Sequence, residues 1–302
     1  MRIVIAGGSG LLGRLLSEAL RHDGHELVVL TRGEPRRDAG TTFVKWTPDG
    51  SPGPWSSEID GAGVVVNLAG ESIAGRRWTA AHKQRIRDSR VLATRSLVAA
   101  IGKTARAPGA LISGSAVGYY GPHGDEIVTE ATPAGSDFLA EVGVAWEAEA
   151  QAAEWRTRVV LVRTGIVLSR EGGALPPLLR PFWFGVGGPL GSGRQYWPWI
   201  HWRDWVDLVR FAIRTSTVSG PLNATAPAPV TNRDFTRALG RAMHRPAVIP
   251  TPGFALKLLL GEMAEPLILT GQRAVPAKAE EMGFSFTYGE IGQALDAIFK
   301  RS

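Results

Sequence analysis

Gly7, Gly10 and Gly13 follow one another at three-residue spacing, directly after a short β-branched run and directly before a helical leucine stripe. Residues 2–6 contain Ile3, Val4 and Ile5, and Leu11, Leu12, Leu15, Leu16 and Leu20 recur at helical intervals, so the chain opens as strand, tight turn, helix. Each glycine has a steric reason to be there. Gly7 permits the turn, Gly10 lets backbone N–H groups approach an anion without a Cβ in the way, and Gly13 lets the helix lie close to the strand. The helix N terminus then favours a phosphate through its free N–H groups and dipole. The pattern predicts a dinucleotide pyrophosphate held by Gly7, Ser9, Gly10, Leu11, Leu12 and Gly13.

Short apolar runs continue to alternate with helical stretches, with strands expected at 26–30, 43–46, 64–68, 110–113 and 159–163 and helices at 11–21, 79–103 and 137–156. This is βαβ logic, and it predicts an α/β protein with a Rossmann-type, doubly wound parallel sheet. Residues 48–61 carry Pro52, Gly53 and Pro54 and read as loop or a short helix. From 172 to 198 the composition shifts to Gly, Pro and aromatics. A dinucleotide-binding domain over 1–168 is therefore expected, followed by a C-terminal substrate-facing lobe over 169–302 with helices near 232–243, 254–263 and 290–300. Trp183, Trp197, Trp199, Trp202 and Trp205 crowd the lobe's start, either as a structural cluster or as a substrate wall.

Composition narrows the function classes. Without cysteine the chain has no disulfides, thiolate metal sites or cysteine nucleophile, and no zinc-ligand spacing is present, so no metal is expected. The absence of a signal-peptide core or an apolar run of about 18 residues leads us to expect a cytoplasmic protein without a membrane partner. The net charge of +6 is concentrated in Arg76, Arg77, Lys83, Arg85, Arg87, Arg90 and Arg95, opposed there by Asp88. That pattern suits a solvated helix face or an anionic small-molecule site better than nucleic acid.

The second strand selects the nucleotide. It ends Leu30-Thr31-Arg32 with no carboxylate for a ribose diol, whereas Thr31 and Arg32 offer a hydroxyl and a guanidinium suited to a 2′-phosphate. NADP is the expected cofactor. Arg36 and Arg37 either assist or lie in a solvated loop.

Asn67-Leu68-Ala69-Gly70-Glu71, Arg76-Arg77-Trp78, the run from Ser113 to Gly121, the run from Gly187 to Gly193, Trp199 to Asp204 and Gly283-Phe284 together span nearly the whole chain. In these motifs the sequence resembles extended short-chain dehydrogenase/reductases, and most closely their atypical epimerase-family branch with a C-terminal domain of unknown role. The resemblance implies a seven-stranded sheet to which residues 220–224 return, and a lobe closing over the nicotinamide. It implies that Asn67, Leu68, Ala69 and Gly70 line the adenosine and pyrophosphate side and that Ser113 sits beside the nicotinamide ribose. Arg163 would follow the sixth strand on the cofactor side. Arg90 stands where typical members place an asparagine facing the cofactor; it either approaches the pyrophosphate or belongs to the solvated basic face.

Chemistry in the wider family uses a serine with a Tyr-x-x-x-Lys pair about 25 residues later. This chain lacks the pair, having no tyrosine between Tyr120 and Tyr196 and no lysine between Lys103 and Lys257. Substitutes are Ser115 to orient a carbonyl and Tyr120 or Tyr119 to donate a proton. His201, Glu130 and Glu141 are further titratable candidates, and Asp204 reads as the cap of a helix starting near Trp205. Two functions follow: an NADP-dependent oxidoreductase or epimerase-like enzyme acting on an unidentified small substrate, or a non-catalytic NADP(H)-binding regulator.

Overall fold

A computed structural model describes residues 1–300. In chain order its strands are β1 (Arg2–Ala6), β2 (Glu26–Thr31), β3 (Arg36–Asp38), β4 (Thr41–Lys45), β5 (Val64–Asn67), β6 (Ala110–Ala116) and β7 (Ile127–Val128). There follow β8 (Arg158–Thr164), β9 (Ile166–Leu168), β10 (Tyr196–Trp197), β11 (Trp199–His201), β12 (Gly220–Ala224), β13 (Val230–Thr231) and β14 (Arg273–Ala274). The helices are α1 (Leu11–His22), α2 (Ala80–Lys103), α3 (Phe138–Gln151), α4 (Leu175–Trp183), α5 (Trp202–Arg214), α6 (Asn232–Met243), α7 (Gly253–Leu260), α8 (Ala277–Glu281) and α9 (Ile291–Phe299).

The main sheet has the order β12-β8-β6-β5-β1-β2-β4-β3. All its pairings are parallel except that of β3, which runs antiparallel to β4. The seven expected strands are thus present, and an eighth closes the edge. Side chains alternate between the faces: Ile3, Ile5, Leu27 and Val29 pack with α1 and α5, whereas Val4, Val28, Leu111 and Leu161 pack with α2 and α3. Burial on both faces explains why these strands read as continuous apolar runs rather than alternating ones.

The C-terminal lobe has its own apolar centre, in which Trp197, Trp199 and Phe235 meet Leu239, Ile291 and Leu295. Trp197, Trp199 and Trp205 are buried, so much of the aromatic cluster is core; Trp183 is 58% exposed. Helix α4 contains Pro176, Pro177 and Pro181, which disguise it in the sequence, although the first two fall in the first turn where proline is tolerated. The cap of α5 also differs from expectation. His201 holds that position with Nδ1 accepting from the Arg203 N–H at 3.2 Å, while Asp204 accepts the backbone N–H groups of Thr287 and Tyr288 at 3.0 and 2.9 Å. Among the described residues no helix is long and apolar enough to cross a membrane.

Candidate functional site

Parallel strands point their C-terminal ends toward one edge, where a doubly wound sheet forms its binding crevice. Here that edge carries Gly7 after β1, Arg32 after β2, Asn67 ending β5 and Ser115 near the end of β6. The glycine turn is sterically determined. Gly7 has φ +82°, and a Cβ there would lie 2.5 Å from the Leu68 carbonyl carbon and oxygen; one on Gly13 would lie 2.4 Å from the Gly7 oxygen. Gly10 is different, because a Cβ there would meet only the Gly7 oxygen, at 3.4 Å. Gly10 is the N-cap of α1 with no side-chain hydrogen bond, so the first turn presents free N–H groups into open space. Ser9 and Gly10 are exposed, Leu11 and Leu12 half-buried, and Gly172 and Gly173 of the lobe lie against the Leu11 side chain. This cradle suits a pyrophosphate.

At the β2 end Arg32 is exposed, and Thr31 Oγ1 accepts the Gly33 N–H at 3.1 Å. Arg36 and Arg37 belong to β3, with the Arg36 guanidinium 3.8 Å from the Phe43 ring centre. Asn67 is buried; its amide donates to Thr94 Oγ1 at 2.8 Å and its carbonyl oxygen accepts the Ala69 N–H at 3.2 Å, fixing the Leu68–Gly70 turn. Ser113 is buried beside it across the β5–β6 pairing. Arg90 packs against Gly70 and Trp146, with one N–H given to the Ile86 carbonyl at 2.9 Å. Burial lowers its pKa to about 10, the cost of holding a cation with so few partners.

Behind Ser115 lies a buried polar network. Ser115 Oγ donates to Glu147 Oε1 at 2.6 Å, and Arg163 grips the same carboxylate with Nε to Oε1 and Nη2 to Oε2, both at 2.8 Å. Arg163 Nη1 donates to the Tyr120 hydroxyl at 3.0 Å, and that hydroxyl donates to Asn223 Oδ1 at 2.6 Å. Glu130 accepts the backbone N–H of Asn223 at 2.9 Å and that of Lys278 at 3.3 Å. Desolvation opposes the Arg163 charge, but the Glu147 and Tyr120 bonds outweigh it and push its pKa up. Tyr120 is wholly buried, and that burial pushes its phenol up to about 12.

These contacts revise three expectations. Tyr120 is not placed to donate a proton to a ligand, because its hydroxyl serves Asn223 and Arg163 in the interior. Arg163 does not face the cofactor side; it is 3% exposed and spent on Glu147 and Tyr120. Ser115 does not aim its proton outward. Tyr119 is half-buried, with the Arg163 guanidinium 3.6 Å from its ring centre. A Cβ on Gly143 of α3 would lie 3.2 Å from Tyr119 Cα, so Tyr119 fills the space a helix side chain at 143 would take. Neither Glu147 nor Asn223 carried a local sequence signal, because their partners come from other elements.

A doubly wound sheet with a glycine cradle at its carboxyl edge defines a Rossmann-type dinucleotide-binding protein. Residues 3–224 match the NAD dependent epimerase/dehydratase family, and residues 251–298 match a domain of unknown function, DUF1731. The chain belongs to the epimerase/dehydratase family. It is 44% identical to the epimerase family protein Mb2239 of Mycobacterium bovis, over 97% of this chain and 96% of that one. It is 39% identical to epimerase family protein SDR39U1 of Bos taurus, with 99% of each covered. The crystal structure of human epimerase family protein SDR39U1 (isoform 2) with NADPH superposes with a TM-score of 0.91 at 33% identity, covering 100% of both chains.

Proposed function

We propose that this protein is an NADP(H)-dependent oxidoreductase or epimerase-like enzyme acting on a small molecule at the carboxyl edge of its main sheet. The observation that carries this reading is the uncapped first turn of α1 opening onto the space over Gly10. The NADPH in the human SDR39U1 structure supports the same assignment. Gly7, Ser9, Gly10, Leu11, Leu12 and Gly13 would hold the pyrophosphate, Asn67 to Gly70 with Arg90 the adjoining side, Ser113 the nicotinamide ribose, and Thr31 with Arg32 the 2′-phosphate. A bound nicotinamide supplies hydride chemistry. The chain itself offers Ser115 and Tyr119 to position a ligand, with Arg163 and Glu147 fixing both. The absence of the Tyr-x-x-x-Lys pair favours a second reading, a regulator that binds NADP(H) without turning it over.

Arg32 separates NADP from NAD. Fluorescence titration is expected to show NADPH binding about tenfold or more tighter than NADH, and Arg32→Ala to abolish that preference while leaving NADH unchanged, as for a lost guanidinium–phosphate pair. Equal affinities in the wild type would defeat the NADP assignment. Nicotinamide oxidation or reduction across a panel of alcohols and carbonyls supports the enzyme; tight binding of both redox forms without turnover supports the regulator.

A further inference from the structure

Eight of the twelve large apolar side chains that the described residues leave exposed fall in two short stretches, 183–186 and 248–259. Phe184 is 81% exposed and Leu258 80%, so neither lines a pocket of the kind that buries a small ligand. The fold brings the two stretches together. Residues 187–190 and 247–251 run side by side, with the Ile249 N–H donating to the Gly187 carbonyl at 3.1 Å and the Thr251 N–H to the Pro189 carbonyl at 2.9 Å. Phe184 and Val186 lead into the first of these segments, and α7, with Phe254 and Leu258, follows the second. The surrounding charge has one sign. Between Glu171 and Asp204, and again between Asp234 and Glu262, the sequence holds no carboxylate side chain, yet it holds Arg180, Arg237, Arg241, Arg245 and Lys257. Asp234 is engaged by Arg237 at 3.7 Å and Glu265 by Lys257 at 2.7 Å, whereas the guanidinium groups of Arg180, Arg241 and Arg245 have no partner among the described residues. Arg241, His244 and Arg245 line, with Val248, a cleft of about 550 Å³, so the basic and apolar surfaces adjoin.

We propose that this face of the C-terminal lobe docks on an anionic lipid bilayer, with Phe184, Phe254 and Leu258 entering the headgroup boundary and Arg180, Arg241 and Arg245 meeting lipid phosphates. Clustered apolar side chains left exposed on a folded protein mark a binding surface. A protein partner is ordinarily met by a polar rim of both signs, and here the negative sign is missing. A bilayer rich in acidic lipid supplies what the face lacks, negative charge at the surface and hydrocarbon just beneath it. Lying on a membrane requires no spanning helix, so short apolar stretches suffice. The elements that carry this face also border the proposed nucleotide site: Gly172 and Gly173, which lead into α4, lie against Leu11 of the cradle, and Arg77 ties α7 to the loop before α2. Docking does not depend on turnover, and vesicle binding is measured without nucleotide.

The test is cosedimentation of the full-length protein with vesicles of phosphatidylcholine alone and of phosphatidylcholine with about 30% phosphatidylglycerol. The acidic vesicles are expected to bind the protein about tenfold or more tightly than the neutral ones. On the acidic vesicles, Arg241→Ala combined with Arg245→Ala is expected to weaken binding about thirtyfold, the worth of two basic side chains at such a surface. Phe184→Ala combined with Leu258→Ala is expected to weaken it about tenfold. Arg21→Ala combined with Lys103→Ala removes the same charge from the C-terminal ends of α1 and α2, and is expected to change binding by less than about threefold. All six substituted side chains are exposed, and near-UV circular dichroism checks that the variants stay folded. No binding to acidic vesicles, equal binding to both compositions, unchanged affinity in either variant of the face, or an equal loss in the Arg21 and Lys103 variant would overturn the proposal. So would a dimer in sedimentation velocity that the Phe184 and Leu258 variant dissolves, since a second copy of the chain would then cover the face.

Discussion

His201 shows how much one ring nitrogen can control. Its Nδ1 needs a free lone pair to cap α5, and the ring lies 3.8 Å from that of Tyr288, centre to centre. Burial first, and the Arg203 charge second, lower its pKa from 6.5 to about 4. Unfolded, the ring takes a proton near pH 6.5; folded, it takes none until about pH 4. The stability contributed by the neutral ring is therefore complete above pH 6.5, is lost as the pH falls toward 4, and changes no further below that. Asparagine also caps helices and does not titrate. In urea unfolding, the stability difference between wild type and His201→Asn is expected to shift against the wild type from pH 7 to pH 4.5; a pH-independent difference would refute this. Asp204, raised by burial, is present in both proteins and cancels from the comparison. Local sequence could not separate the roles of these two residues. An aspartate near a helix start reads as a cap, and only the return of Thr287 and Tyr288, more than 80 residues later, reveals its other partner.

Elements were legible where their own residues supply the signal. β1, α1 and β5 follow from apolar runs and glycine spacing, whereas β3 is three exposed charged residues that pair only because Ala39 and Gly40 turn the chain at positive φ. The first turn of the dinucleotide cradle was legible for the same local reason, but the Glu147–Arg163 pair spans a helix and a strand and was hidden until both were placed. A further long-range bond belongs at this scale. Arg77, in the loop before α2, donates to the Leu259 carbonyl from Nε at 3.0 Å and Nη2 at 2.7 Å, and also to the Leu258 carbonyl. It thereby satisfies carbonyls at the C-terminal end of α7, where a cation is also favoured by the helix dipole. Lys83 of α2 adds an ion pair with Glu262 at 2.5 Å. Arg77→Ala is expected to cost global stability under about 1 kcal/mol, as exposed ionic contacts do. It should nevertheless raise amide hydrogen exchange in residues 253–263 by about threefold to fivefold, because local opening there loses its clasp. Unchanged exchange in α7 would show that apolar packing of Leu260 and Met263 alone holds it.

At the scale of the molecule, the segment matching the domain of unknown function is structurally continuous with the rest. α9 contributes Ile291, Ala294, Leu295 and Ile298 to an apolar centre shared with Trp197, Phe235 and Leu239. Two carboxylates then tie the backbone preceding α9 to the main sheet region: Glu130 receives the N–H of Lys278 in α8, and Asp204 of α5 receives those of Thr287 and Tyr288. A segment whose apolar face and backbone donors are both satisfied by other parts of the chain cannot unfold without exposing them. Heat is therefore expected to unfold the protein in one transition, with equal calorimetric and van't Hoff enthalpies. Asp204→Asn keeps the size of the side chain but turns an amide N–H2 toward one of the two backbone donors that needed an acceptor, at a cost of about 1–3 kcal/mol. If the lobe and sheet are one cooperative unit, that variant still melts once, at a lower temperature. A second, earlier transition confined to the variant would show that Asp204 is what joins them, and two transitions in the wild type would show that residues 251–298 form a unit of their own.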